Sequence, residues 1–303
     1  MNKKNKFLKR LYRQRMLLLM LIPGLAYYLI FHYGPMYGIL VAFKDYSPFL
    51  GVIDSPWVGL EHFARFFENS KLLQRMLNTL RLGGLLLIVE VPVVVFFALV
   101  LNEVRNARAK KFFQTVSYLP SFLSVVIICS LFFDLFSMQG IVNRVVELFG
   151  GEPILFLNKK EWYLPIYLIS EMWAYMGSGA IIYLAALTGI DPSLYEAATI
   201  DGCSRIKSIW HISIPSIMPT IMTMFLLKVG GIIRVGADKT LLLYNELNYE
   251  VSDIISSYIY RVAFVDQDFS YSTAVGLVES LLGATILIVA NKVSERTTGS
   301  SLW

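Results

Sequence analysis

The sequence predicts an all-α membrane protein: a helical bundle of six transmembrane helices with both termini in the cytosol. Its 303 residues are 56% hydrophobic and only 16% charged, and the mean hydropathy is +0.58. Soluble domains carry roughly 25% charged residues, so this composition excludes an ordinary soluble enzyme. It also excludes a disordered chain, because such chains combine low hydrophobicity with high net charge.

Six apolar stretches account for the predicted spans. A helix needs roughly 20 apolar residues to cross a hydrocarbon core of about 30 Å. The stretches are 16–33, 77–101, 112–136, 162–188, 215–235 and 273–289. No small-residue cleavage site follows the first stretch, which we therefore interpret as an uncleaved span and not as a signal peptide.

The basic residues predict the orientation of these spans. Lysine and arginine concentrate on the cytosolic side in short loops, and here they cluster in segment 1–15 and in the loops after the second, fourth and sixth spans. The net charge of +5 is thus interpreted as topology and not as nucleic-acid binding, since no nucleic-acid motif accompanies it. The predicted organisation is a cytosolic segment 1–15, a transmembrane domain 16–293 and a cytosolic tail 294–303.

Cysteine and histidine give no support for a metal site, a disulfide framework or a catalytic residue. Cys129 lies in an apolar stretch and Cys203 in a charged loop, while the three histidines are scattered along the chain. We therefore expect no metal ion in this protein.

Several charged residues lie within or at the ends of the spans. Each charge near the bilayer centre costs about 2.5–3.5 kcal/mol, so these groups should face a bundle interior or a wet cavity. Two interpretations stay open: a polar path through the bundle, or charges that pair with one another or extend to the interface. The residues concerned are Glu90, Asp134, Glu171, Lys228, Arg234 and Glu279.

The cytosolic loop 191–219 has strong local signals. Asp191 is a favourable N-cap, and Pro192 suits the first helical position. We expect a helix over 193–201 that stops at Gly202, a second short helix after Ser204, and breaks at Pro215 and Pro219. The result is a helix-turn-helix elbow, interpreted either as a docking site for a cytosolic protein or as an amphipathic hairpin on the membrane.

This elbow resembles a known family. Glu196-Ala197-Ala198, then Asp201-Gly202, then Ile212-Ser213-Ile214-Pro215 is similar to the EAA loop of permease subunits from binding-protein-dependent ABC importers. Cys203 and Ile214 stand where that family often has Ala and Leu. The start of the chain, including Gly34-Pro35-Met36-Tyr37-Gly38, and its Ser301-Leu302-Trp303 ending resemble the narrower LplB-like group of complex-oligosaccharide permeases.

The resemblance implies a type I ABC importer permease fold in a bacterial cell membrane. It also implies three partners: a second homologous permease, a cytosolic ATPase dimer and an extracytoplasmic solute-binding protein. ATP and Mg²⁺ would bind the ATPase, since this chain lacks a GxxxxGK[ST] phosphate loop and needs no cofactor of its own. The implied ATPase-coupling residues are Glu196, Ala197, Ala198, Asp201, Gly202, Ile212 and Pro215.

An oligosaccharide is the cargo that the resemblance implies. A sugar site needs acids or amides beside aromatic rings, and the candidates in the spans are Glu90, Glu171, Trp173, Tyr175 and Glu279. The two aromatic residues are equally interpreted as lipid-facing or packing residues. Alternatives are an importer for a non-sugar solute such as a peptide, a membrane-embedded enzyme, which would need a dense acid or metal cluster, and a structural membrane protein, which leaves the elbow unexplained.

Overall fold

The computed structural model describes residues 13–234, 236–299 and 301–302. Their regular structure is helical, apart from an isolated antiparallel bridge between Lys44 and Trp57, which confirms the predicted all-α class. The chain divides into two compact units: Met1–Glu68 with Val262–Leu277, and Asn69–Arg261 with Val278–Trp303. Most of the predicted basic segment 1–15 lies outside the described residues.

The first unit begins with a helical segment long and apolar enough to cross a membrane, Arg15–Phe43. It consists of α1 (Arg15–Tyr28), a π-helical turn (Leu29–Tyr33) and a 3-10 helix (Gly34–Phe43). The π turn closes with a hydrogen bond from the Gly34 N–H to the Leu29 carbonyl, just before Pro35. Helical structure therefore continues to residue 43, beyond the predicted end at residue 33.

The rest of the first unit includes the short helices α2 (Gly51–Asp54) and α3 (Glu61–Glu68). The Trp57 ring stacks on Phe43 with 5.7 Å between ring centroids, and Phe66 of α3 is buried. Arg65 forms an ion pair of 2.6 Å with Asp268. Aromatic packing and this ion pair hold the segment 44–68 in a defined conformation.

The second unit contains most of the remaining helices, and its boundary with the first unit falls within the last two. In order they are α4 (Leu72–Glu103), α5 (Ala107–Tyr118), α6 (Val125–Phe136), α7 (Ile141–Leu148), α8 (Lys160–Thr188), α9 (Pro192–Ile200), α10 (Arg205–Ser208), α11 (Ile214–Gly230), α12 (Ala237–Leu243), α13 (Tyr249–Ser252), α14 (Ile255–Phe264) and α15 (Phe269–Thr298).

Several helical segments of the described chain are long and apolar enough to cross a membrane. Besides Arg15–Phe43, the segments that meet both conditions are Leu72–Glu103, Val125–Leu148, Arg205–Gly230 and Phe269–Arg296. Helices α8 and α9 meet the same conditions only when taken together, and they are bent by 70° at the break between them. With this bent pair counted as one span, the described residues contain six candidate spans, the number that the sequence predicts.

The centre of the second unit lies between α4 and α8. Towards the cytosolic ends of these two helices, one apolar cluster contains Val94, Ala98, Ala180 and Tyr183 together with Ile217 of α11. Towards the outer ends, a second cluster contains Leu82, Leu86, Tyr163 and Tyr167, among others. Burial of these side chains fixes the two helices against each other along most of their length.

Two glycines allow helices to pack closely against neighbouring backbone. A Cβ atom on Gly177 of α8 would overlap the backbone carbonyl of Ser117, and one on Gly83 of α4 would overlap the carbonyl of Ile232. A Cβ atom on the neighbouring Gly84 would instead have open space within 4 Å. Only the first glycine of this pair is therefore required by packing.

The predicted third span, 112–136, is wrong in its bounds. The chain breaks between α5 and α6, where Leu119–Phe122 forms a 3-10 helix around Pro120 and the Ser124 hydroxyl caps α6 by accepting from the Ile127 N–H at 3.3 Å. The apolar segment that follows this break is Val125–Leu148. Proline and a capping serine outweigh the continuous hydropathy of the predicted stretch.

Two further boundaries also differ from the prediction. Helix α11 ends at Gly230, before the predicted limit at 235, and Val235 itself lies outside the described residues. The last helix, α15, continues to Thr298, past the predicted start of the tail at 294.

The adjacent glycines of α4 provide a matched test of packing. We expect Gly83→Ala to lower the unfolding free energy by about 1–3 kcal/mol, because its methyl group would overlap the Ile232 carbonyl. Gly84→Ala should be neutral or stabilising by up to about 1 kcal/mol, since alanine is the better helix former. Thermal unfolding of the detergent-solubilised variants measures both effects, and equal midpoints would contradict the role of Gly83.

Candidate functional site

The cytosolic elbow begins with a capped helix. The Asp191 carboxylate accepts a hydrogen bond of 2.9 Å from the Ser193 N–H, and Pro192 occupies the first turn of α9. This backbone hydrogen bond lowers the pKa of Asp191. The predicted helix 193–201 is thus confirmed to within one residue at each end.

A left-handed residue ends α9, as predicted. Gly202 has φ of +73°, the Cys203 N–H bonds the Ala198 carbonyl at 2.8 Å, and the Gly202 N–H bonds the Thr199 carbonyl at 3.1 Å. These two hydrogen bonds define a Schellman motif, in which residues with a Cβ are disfavoured at the left-handed position. The direction of the chain after the elbow therefore depends on a glycine at residue 202.

The chain re-enters the membrane without the predicted interruption. The Ser204 hydroxyl caps α10, a π-helical turn (Ile209–Ser213) follows, and α11 begins at Ile214. The π turn closes with a hydrogen bond from the Ile214 N–H to the Ile209 carbonyl. This wider turn accommodates Pro215, and Pro219 lies within α11, so helical structure runs continuously from Arg205 to Gly230.

The predicted coupling residues lie on one short segment but differ in exposure. Glu196, Ala197, Asp201, Gly202 and Pro215 are exposed, whereas Ala198 and Ile212 are half-buried. Ile200 is not among the predicted coupling residues, yet it is 87% exposed beside Asp201. The sequence contains a usable signal for this residue, because Ile200 directly precedes Asp201 at the end of the predicted elbow helix.

One side-chain contact joins the two arms of the elbow. The Tyr195 hydroxyl of α9 lies 2.9 Å from the Ser213 hydroxyl, which is buried at the start of α11. Because this contact and the Schellman motif both constrain α9, the exposed acids have a defined position relative to α11.

Two intramembrane carboxylates, Glu90 and Glu171, are each paired with a lysine of another helix. Lys228 of α11 donates to Glu90 of α4 at 2.5 Å. Lys239 of α12 donates to Glu171 of α8 at 2.7 Å, and the Lys239 side chain is only 5% exposed. Burial lowers the pKa of Lys239, and the Glu171 carboxylate opposes that shift.

The remaining candidates for a sugar path make different contacts. Glu279 accepts a hydrogen bond of 2.6 Å from Ser256. Trp173 packs edge-on against Phe132 at 6.0 Å, and Tyr175 packs against the same apolar cluster around α6 and α8. No hydrogen bond or ring contact among the described residues joins any two of the five candidates, and both aromatic residues contribute to packing.

Two cations, Lys239 and Arg81, are not among the charged residues that the sequence predicts in the spans. Lys239 belongs to a predicted outer loop, and its contact with Glu171 joins residues 68 positions apart, which no local pattern reveals. Arg81 lies inside the predicted span 77–101, where its charge alone was a usable signal.

Comparisons with known proteins agree on one family. The family described as binding-protein-dependent transport system inner membrane component matches residues 91–299. The polygalacturonan/rhamnogalacturonan transport system permease protein YteP of Bacillus subtilis (strain 168) is 43% identical over 295 residues, covering 97% of this chain and 92% of the relative. Protein LplB of the same organism is 41% identical over 285 residues, covering 94% and 90% respectively.

Solved structures show the same likeness. A chain of a bacterial ABC transporter involved in the import of the acidic polysaccharide alginate has a TM-score of 0.89 and 36% sequence identity, covering 97% of this chain and 99% of that chain. A second structure, of the alginate transporter in complex with an alginate pentasaccharide-bound periplasmic protein, matches with a TM-score of 0.88.

The buried ion pair between Glu171 and Lys239 gives a test of the bundle's electrostatics. We expect Glu171→Gln to destabilise the protein by about 3 kcal/mol, because it leaves a buried ammonium group without its carboxylate. Adding Lys239→Met should restore most of that loss. The exposed pair of Lys160 and Glu250 is the control: Glu250→Gln should cost at most about 1 kcal/mol in the same unfolding measurement. Equal losses of unfolding free energy for Glu171→Gln and Glu250→Gln would contradict the stabilising role of the buried ion pair.

Proposed function

The chain belongs to the family of binding-protein-dependent transport system inner membrane components, and from this premise we propose that its elbow couples an ATPase to oligosaccharide import. It is a multi-pass permease subunit of an ABC importer in the cell membrane. The proposal concerns its coupling residues, its partners and its cargo.

The geometry of the elbow is the observation that supports coupling. Exposed Glu196 and Asp201 flank the small residues Ala197 and Ala198 on α9, and two backbone hydrogen bonds fix the turn that follows. From Arg205 the chain continues as unbroken helix into the membrane. A force applied to α9 by a cytosolic protein would therefore be transmitted to α11, as rigid-body alternating access requires.

The partners follow from the same arrangement. Small exposed side chains permit close approach of another protein surface, and exposed carboxylates offer partners to its basic residues. We assign this surface to a cytosolic ATPase dimer that binds ATP and Mg²⁺. A second homologous permease would complete the path, and an extracytoplasmic solute-binding protein would deliver the cargo. The alginate transporter bound to its periplasmic protein supports the last of these.

An oligosaccharide is the proposed cargo. Support comes from two similar proteins, one named as a polygalacturonan/rhamnogalacturonan permease and the other described as a transporter of the acidic polysaccharide alginate. The decisive experiment is to reconstitute the assembled transporter in vesicles and to measure which glycans, presented by the binding protein, stimulate ATP hydrolysis. Stimulation by peptides and not by glycans would overturn the cargo assignment.

Gly202→Val should leave the protein inserted but uncouple transport from ATP hydrolysis. Valine fits the left-handed conformation at φ +73° poorly, so the elbow would change direction. Gly150→Val is the matched control, because Gly150 has φ of +80°, open space around it and a position far from the elbow in sequence. Uptake and ATP hydrolysis are measured in the same vesicles. Near-normal uptake with Gly202→Val would contradict the role of the turn.

Glu196→Lys should weaken association with the ATPase, since it replaces an exposed carboxylate at the proposed interface with a cation. We expect about a tenfold weaker complex, the effect of losing one charge-assisted contact. Co-purification of the ATPase with the tagged permease measures this. Glu147→Lys, at an exposed residue of α7, makes the same charge change elsewhere and should have no effect. Unchanged co-purification with Glu196→Lys would argue against this interface.

A further inference from the structure

Two cavities lie next to each other on the outer half of the second unit. The first, of about 420 Å³, is lined by Lys71, Gln74 and Arg75 at the outer end of α4 and by Asp253 and Arg261. The second, of about 460 Å³, is lined by Arg81 further along α4 and by Lys160, Glu161 and Leu164 of α8. Glu250 lines both, so the two cavities adjoin.

Cations outnumber carboxylates along these cavities. Five cationic side chains line them, against three carboxylates. The Glu250 carboxylate is already engaged by Lys160 at 2.8 Å. A positive excess in a concave surface attracts anions and raises their local concentration. The outer half of this unit is therefore suited to a negatively charged ligand.

The first cavity already holds one carboxylate, and it comes from the chain itself. Asp253 accepts hydrogen bonds from Arg75 at 2.7 Å and from Arg261 at 2.8 Å to each of its two oxygens. The Nη1 atoms of both arginines are buried and have no hydrogen-bond partner among the described residues. The two arginines thus carry more positive charge and more donors than one carboxylate satisfies.

The same cavity has the other features of a sugar site. The Tyr249 ring lines it and stacks with Tyr244 at 4.9 Å between centroids, which gives a rigid aromatic surface. Gln74 donates to the Glu250 carbonyl at 2.8 Å, and this contact leaves its amide oxygen free to accept a hydroxyl. An aromatic ring, an amide and cations together recognise the apolar face, the hydroxyls and the carboxylate of a uronate sugar.

Arg81 is the innermost cation of the set. It lies ten residues after Lys71, about 15 Å along the helix, and the walls of its cavity include Leu85, Leu164 and Leu168. Arg81 has no hydrogen-bond or ion-pair partner in the described part of the chain. Arg81 is also exposed, so its guanidinium group is accessible to an anion that enters this cavity.

We propose that these two cavities form an outer track for an acidic oligosaccharide, in which Arg81 binds a uronate carboxylate after it passes Lys71, Arg75 and Arg261. This inference rests on the proposed oligosaccharide cargo and specifies its chemical class. The track runs along α4 from its outer end towards the membrane interior, and a linear acidic chain can contact both cavities at once.

The test compares a charged ligand with its neutral form. The assembled transporter in vesicles, supplied with its binding protein, is given an oligogalacturonate or the fully methyl-esterified oligosaccharide of equal length. We expect Arg81→Gln to lower uptake of the acidic form about tenfold relative to the unmodified transporter, the effect of one lost charge-assisted hydrogen bond. Uptake of the ester should change less than about twofold, and Arg81→Lys should retain most of the acidic uptake because it keeps the positive charge.

A control variant separates this effect from general electrostatics. Arg144→Gln removes one positive charge from an exposed residue of α7 that lines neither cavity, and it should change uptake of neither form. Equal loss of both forms with Arg81→Gln, or no loss of either, would overturn the track while leaving the oligosaccharide cargo intact. Failure of the unmodified transporter to take up either form would instead overturn the proposed cargo, and the track with it.

Discussion

A helix in hydrocarbon has to keep its backbone groups hydrogen-bonded, and two of the prolines in this chain are passed in a way that meets this requirement. At two places the solution is the same. A π-helical turn precedes Pro35, and another precedes Pro215, each closed by a hydrogen bond to the carbonyl five residues earlier. The wider turn displaces the carbonyl that a proline ring would otherwise meet. Helical structure is therefore preserved where the sequence alone suggests a break.

Because the helix is continuous through Pro215, a movement of the elbow can be transmitted to the membrane helices. A flexible linker after α10 would separate the motions of the elbow from those of the membrane helices. The continuous helix Arg205–Gly230, together with the contact between Tyr195 and Ser213, makes α9, α10 and α11 a single connected element. The coupling proposed for Glu196 depends on this connection more than on the acid itself.

Charge burial imposes a second constraint on the same helices. Glu90 and Glu171 each lie in a span, and each is neutralised by a lysine from a different helix. Removing one partner of such a pair leaves an uncompensated charge, whereas the pair as a whole adds little net stability. These pairs therefore select one arrangement of α4, α8, α11 and α12, and apolar packing supplies most of the energy that holds it.

Local sequence signals were sufficient to predict the structure of the elbow, but they were insufficient to predict the breaks and ion pairs of the bundle. Asp191 and Gly202 act through neighbouring residues, so the sequence predicted both ends of α9. Hydropathy, by contrast, is summed over a window and does not detect the break at Pro120 within the stretch 112–136. The partners of Glu90 and Glu171 lie 138 and 68 residues away, and the cost of leaving a charge unpaired predicts that a partner exists without identifying it.

The ion pair of Lys228 and Glu90 links the continuous helix at the elbow to the pairing of charges in the spans. Lys228 lies 14 residues after Ile214, about 20 Å along the helix that begins at the elbow. Apolar contacts between α4 and α11 are non-directional and tolerate sliding, whereas the ion pair forms only while Lys228 is within reach of Glu90. Moving α11 along α4 would separate the charges, and the Glu90 side chain, 14% exposed, would then need another donor. The pair therefore favours the present position of α11, and the elbow lies at the opposite end of the same helix, where a cytosolic partner could act against that preference.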